Sequence, residues 1–66
     1  MNIKDRMKKL KGVINATWNP TDLSLGIYYE CDASLDTVKA KVVDQIDKAS
    51  LHRAIEKVNF IRICDN

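Results

Sequence analysis

Cys31 and Cys64 are the residues of this chain with the most distinctive chemistry, two thiols able to ligate a soft ion or to meet each other. The other soft donors are Met1 and Met7, and the single imidazole is His52. The cysteines lack the close spacing of a zinc or Cys-x-x-Cys site and are too few for a disulfide framework, so the plain expectation is two reduced thiols. If the last strand runs parallel to the second, both stand near strand C-terminal ends and approach each other. A Cu(I) or Zn(II) pair is then conceivable, with His52 near the opposite end and outside it. A lone helical histidine is more often a surface or interface residue.

Catalytic chemistry has little to stand on. Asp32 and Asp36 share the i, i+4 spacing of one helical turn, but no nucleophile with a base beside it and no glycine-rich phosphate loop accompanies them. Helix capping and dipole complementarity explain both, and no enzyme is expected. Five basic residues, Lys4, Arg6, Lys8, Lys9 and Lys11, stand against Asp5 alone in residues 1–12, while the net charge of the whole chain is only +2. Lys4, Lys8 and Lys11 fall on one side of a helix at i, i+4 and i+7, a geometry that suits phosphates or an acidic protein partner. Nucleic acid is the less favoured of these, because beyond Tyr28 the exposed face of the hairpin offers no stacking platform.

The elements that position these residues begin with a hairpin over residues 12–30. Ile14, Ala16 and Trp18 alternate with polar residues, then Leu23, Leu25, Ile27 and Tyr29 do so after an Asn-Pro-Thr-Asp turn, and period two means a strand with one buried face. Asn19, Pro20, Thr21 and Asp22 are turn residues by fixed φ or local side-chain hydrogen bonding. Tyr28 points away from the core face and, with Ile61 and Ile63, forms an exposed or interfacial patch. Before the hairpin, Ile3, Met7 and Leu10 make the apolar stripe of a helix over residues 2–11 that Gly12 ends.

After it, Asp32 or Ser34 caps a helix whose buried face is Leu35, Val38, Val42, Ile46 and Ala49. Leu51, Ala54, Ile55 and Val58 fall on the opposite side, so one straight helix cannot bury both stripes against one sheet. A break near residues 48–50 with Ser50 capping a second short helix is expected. The other arrangement is one continuous helix whose second stripe, Leu51, Ile55 and Val58, meets a partner subunit. Residues 59–64 read as a strand buried on much of both faces and interior to the sheet, joined by a right-handed crossover.

The stripe Ile3, Met7, Leu10, the Leu10-Lys11-Gly12-Val13 helix end, the hairpin and the helix start at Ser34-Leu35-Asp36-Thr37-Val38 resemble the heavy-metal-associated domain. That resemblance covers roughly residues 3–49 and implies a ferredoxin-like βαββαβ sandwich. Metal-carrying members hold the ion with a Cys-x-x-Cys pair whose second cysteine stands about thirteen residues before the Gly of the Gly-Val pair, the length of a three-turn helix. Counting back from Gly12 places that position just before Met1. The resemblance therefore leaves the first strand and metal loop outside this sequence and passes the ligand role to no residue in it.

With 66 residues, 45% of them hydrophobic and 30% charged, the chain makes one small domain over residues 1–66. A domain of this size buries only about 60% of its unfolded surface, so added stability from a partner is expected. No apolar run approaches a membrane span and no signal-type core follows the opening lysines, which points to a soluble cytoplasmic protein. The fold class expected is α+β, a truncated ferredoxin-like sandwich in the order α-β-β-α(-α)-β, with a three-stranded sheet and helices on one face. The function expected is a non-enzymatic interaction domain, homodimeric, with Lys4, Lys8, Lys11, Tyr28, Leu51, Ile55 and Val58 as contact residues. The alternatives are metal handling through Cys31 and Cys64 or an upstream Cys-x-x-Cys, and weak nucleic-acid binding through the basic helix.

Overall fold

The computed structural model describes residues 3–64. Met1, and the start of the helix expected from residue 2, lie outside the described residues. The order is α1 (Ile3–Lys8), β1 (Val13–Asn19), β2 (Ser24–Glu30), α2 (Leu35–Lys48) and β3 (Lys57–Ile63). The sheet order is β1-β2-β3, with β1 and β2 antiparallel and β2 and β3 parallel. The fold is thus α+β with a mixed three-stranded sheet and two helices, and the last strand does return parallel to the second.

One face of that sheet carries the core. Leu25, Ile27 and Tyr29 of β2 are buried, flanked by Ala16 and Trp18 of β1 and by Val58 and Phe60 of β3. Met7 of α1 and Val38 and Val42 of α2 are fully buried in the same cluster, so both helices cover this one side. The apolar face expected for α2 is the one buried, with Leu35 and Ile46 packed beside Val38 and Val42. Ser34 caps its start, its hydroxyl accepting from the Thr37 N–H at 3.5 Å, and Asp36 lies in the first turn where the helix dipole favours negative charge.

Several local expectations are corrected. Helix α1 stops at Lys8, short of residue 11, and a turn follows in which Leu10 N–H donates to the Met7 carbonyl and Val13 N–H to that of Leu10. Gly12 adopts φ +92 there, with its carbonyl accepting from Glu30 N–H, a backbone shape that a side chain would strain. In β1 the register shifts between Val13 and Asn15, so Val13 takes the core side and Ile14 turns outward, 49% exposed. Leu23 was expected to extend the alternating core pattern; it stands instead in the turn at φ 57, half-buried. Asn19 and Asp22 tie that turn with side-chain oxygens that accept from Thr21 and Ser24 N–H.

The helix break falls where expected, but no second helix follows. Ala49 caps α2 and Ser50 takes φ 55, with Ser50 N–H donating to the Asp47 carbonyl and Leu51 N–H to that of Ile46. These two bonds form a Schellman end, which turns the chain out of the helix. Residues 49–56 run as turns, and Val58 belongs to β3. Finally, β3 lies on the edge of the sheet, not in its interior.

Candidate functional site

The uncovered face of the sheet follows from the register. Residues paired across a ladder share a face, so Asn15, Thr17 and Asn19 of β1 stand with Ser24, Gly26, Tyr28 and Glu30 of β2 and with Lys57, Asn59, Ile61 and Ile63 of β3. Tyr28 pairs directly with Ile61, and Glu30 with Ile63. The Tyr28 ring leans back over Gly26, 3.7 Å from where a β-carbon would stand there. Ile63 is 39% exposed, and the outward Ile14 lies near it across a shallow cavity lined also by Glu30, Cys31 and Asp32. The apolar run of the last strand is thereby explained: Val58 and Phe60 face the core while Ile61 and Ile63 face outward.

This face is asymmetric in charge along its strands. Lys57 stands at one end, beside Ser24, and Glu30 at the other, beside Ile63. Both are exposed, and Tyr28 and Ile61 lie between them.

Strand β3 is held at both ends. At its start, the Leu23 carbonyl accepts from Glu56 N–H at 2.8 Å and from Lys57 N–H at 3.4 Å. At its end, Cys31 and Cys64 form a disulfide with a Cα–Cα separation of 4.7 Å. The pair continues the parallel register by one step beyond Glu30 and Ile63. This corrects the expectation of two reduced thiols: the cysteines do meet, but in a disulfide neither sulfur is a thiolate able to take Cu(I) or Zn(II). Among the described residues no group of three or more His, Cys, Asp or Glu is placed to hold a metal ion. His52 pairs with Asp47 at 3.0 Å, at the other end of β3 from Cys64.

The remaining expected contact residues are distributed differently from the sequence pattern. Lys4 and Lys8 lie on α1, but Lys11 falls beyond its end, so the three do not form one helical row. The Lys11 carbonyl accepts from Lys41 Nζ at 3.4 Å, and Glu30 and Asp32 line the same shallow cavity as these two lysines, which breaks up any single-sign patch. Leu51, Ile55 and Val58 form no outward helical stripe; Leu51 is half-buried, and Ile55 and Val58 pack against the core. Arg62 lies over the Tyr29 ring at 5.5 Å and Lys39 over Phe60 at 5.8 Å, cation–π contacts that join β3 to β2 and α2. The sequence missed Ile14 and Lys57 as members of the open face; the Val13-Ile14 pair of adjacent apolar residues at the strand start was the available cue to the bulge.

No family model, no curated protein and no solved structure matches this chain. Among the described residues no helix is long and apolar enough to cross a membrane.

Proposed function

We propose that this chain is a non-enzymatic interaction domain that pairs with a second copy of itself through the open face of its sheet. The observation that carries the reading is an edge strand apolar on both sides, of which the helices cover only one. Exposed apolar surface set among polar residues is the usual mark of a contact site. The occupant is a second copy because the face complements itself. A two-fold rotation that lays one sheet antiparallel on another sets Lys57 of each copy against Glu30 of the other and stacks Tyr28 and Ile61 at the centre. The sequence reading offered two surfaces for self-association, the stripe Leu51, Ile55 and Val58 and the patch Tyr28, Ile61 and Ile63, and the second is the one this proposal rests on.

The parallel pairing of β2 with β3 is compatible with the ferredoxin-like order that the resemblance implies. In a split βαβ unit an antiparallel strand separates two parallel ones, and closing the gap after its loss brings those two together. We therefore read residues 3–64 as the part of a ferredoxin-like sandwich that follows its first strand. The Cys31–Cys64 disulfide removes the argument from reduced thiols for a cytoplasmic location.

Sedimentation equilibrium of the oxidised chain at micromolar concentration tests the pairing. A dimer is expected, and Ile61→Lys should make it monomeric without loss of the folded circular-dichroism spectrum. Lys57→Glu alone should weaken the dimer, and adding Glu30→Lys should restore it. A wild-type monomer, or a charge swap that restores nothing, overturns the reading.

A further inference from the structure

We propose that the Cys31–Cys64 disulfide is a thiol-exchange site for a dithiol reductant, and that opening it releases the C-terminal end of β3 and removes Ile63 from the open face. The control of pairing rests on the self-association reading above; the exchange and the release do not.

The argument starts from the unequal anchoring of β3. Besides the ladder to β2, its first half is anchored by the Leu23 carbonyl at its start, by the Val58 and Phe60 side chains in the core, and by Lys39 of α2 over the Phe60 ring. Its last residues have fewer anchors. Arg62, Ile63 and Cys64 are all exposed, and β3 has a strand neighbour on one side only. Among the described residues, what holds this end besides the ladder is the Arg62 contact with the Tyr29 ring and the disulfide. A strand end carried by an edge ladder and exposed side chains opens at the low end of the local-stability range, so the covalent bond decides whether it stays in place.

Access is the second half of the argument. Cys31 and Cys64 are both exposed, and Cys31 lines a shallow cavity with Ile14, Glu30, Asp32 and Ile63. A thiolate of the reductant attacks one sulfur, the S–S bond breaks, and a mixed disulfide forms. The second thiol of the reductant then displaces the remaining cysteine sulfur. Two electrons pass to the protein, Cys31 and Cys64 become thiols, and the reductant leaves as its own disulfide. Paired through this face, two copies would hold Ile63 of each in the contact, so pairing favours the attached end of β3 and its release weakens pairing by linkage.

The test compares the oxidised chain with the same chain in dithiothreitol under native conditions, with thiols counted by alkylation and mass. Reduction without denaturant is expected. Amide exchange should then be about tenfold or more faster at Arg62 and Ile63, with Val58, Phe60 and the β1/β2 ladder still protected. The Cys31→Ser, Cys64→Ser double variant should show the same local release in the absence of reductant and bind its own copy more weakly by sedimentation. A bond that resists dithiothreitol until denaturant is added overturns the exchange site. Unchanged protection at Arg62 and Ile63, or loss of protection throughout the sheet, overturns the local release. If the oxidised chain is a monomer the pairing reading fails, while amide exchange on that monomer still decides the release.

Discussion

Gly26 faces Thr17 across the β1/β2 ladder, and a β-carbon built at Gly26 would come 2.5 Å from the Thr17 hydroxyl oxygen. The two residues share the open face, where the Tyr28 ring also leans over Gly26. A side chain at this position would have to displace the Thr17 hydroxyl, and the preference for glycine comes from packing, since Gly26 has no positive φ.

Gly26→Ala should accordingly destabilise the chain by about 1–2 kcal/mol, the cost of overpacking at a stiff β-branched neighbour. Thr17→Ala removes the obstructing oxygen, so Gly26→Ala in that background should be neutral or stabilising, because alanine loses less backbone entropy than glycine. Urea unfolding of the four chains of this cycle measures the coupling directly. Equal costs of Gly26→Ala with and without Thr17 would show that the contact does not matter.

The end of α2 makes the second prediction. Ser50 holds φ 55 in the Schellman position that glycine usually fills, and the two carbonyls of Ile46 and Asp47 depend on that shape for their partners. Left-handed backbone costs a side-chain-bearing residue roughly 1–2 kcal/mol, of which glycine gives some back through its freer unfolded chain. Ser50→Gly should raise the urea midpoint, with the slope unchanged, by the equivalent of about 0.5–1 kcal/mol. A lowered midpoint would mean that the Ser50 side chain contributes something the backbone geometry does not show.

These positions also mark where the sequence was readable and where it was not. The buried stripe of α2, the hairpin, the break after Lys48 and the parallel return of β3 were legible because each rests on periodicity, capping or chain direction. The bulge that turns Ile14 outward was not, since one inserted residue reverses the alternation without changing composition. Residues 50–58 continued a helical spacing past a Schellman end that carries no glycine, so Ile55 and Val58 read as an outward stripe although they pack on the core. The edge placement of β3 was hidden for a different reason. Apolar residues on both faces of a strand look the same whether the second face is covered within the chain or left open, and on that face Ile61 is half-buried and Ile63 exposed. The disulfide was half legible: parallel strands brought Cys31 and Cys64 together, but pattern carries no information about oxidation.

The core is small enough that one side chain decides whether the fold persists. Met7 is fully buried, and with Val38 and Val42 of α2 it closes the helical side of the cluster over Leu25 and Ile27. Helix α1 has only six residues, too few to be stable without this packing, so what Met7 contributes is the docking of the whole segment. Truncating a buried methionine to alanine costs about 2–5 kcal/mol, whereas a domain of this length has roughly 3–10 kcal/mol in all. Met7→Ala should therefore leave a large unfolded fraction at 25 °C, seen as a shift of Trp18 fluorescence toward the solvent-exposed value and a urea transition with little folded baseline. Met7→Leu keeps the volume and should cost less than about 1.5 kcal/mol. A Met7→Ala chain as stable as wild type would mean that α1 is dispensable, and that the sheet is held by α2 and the disulfide alone.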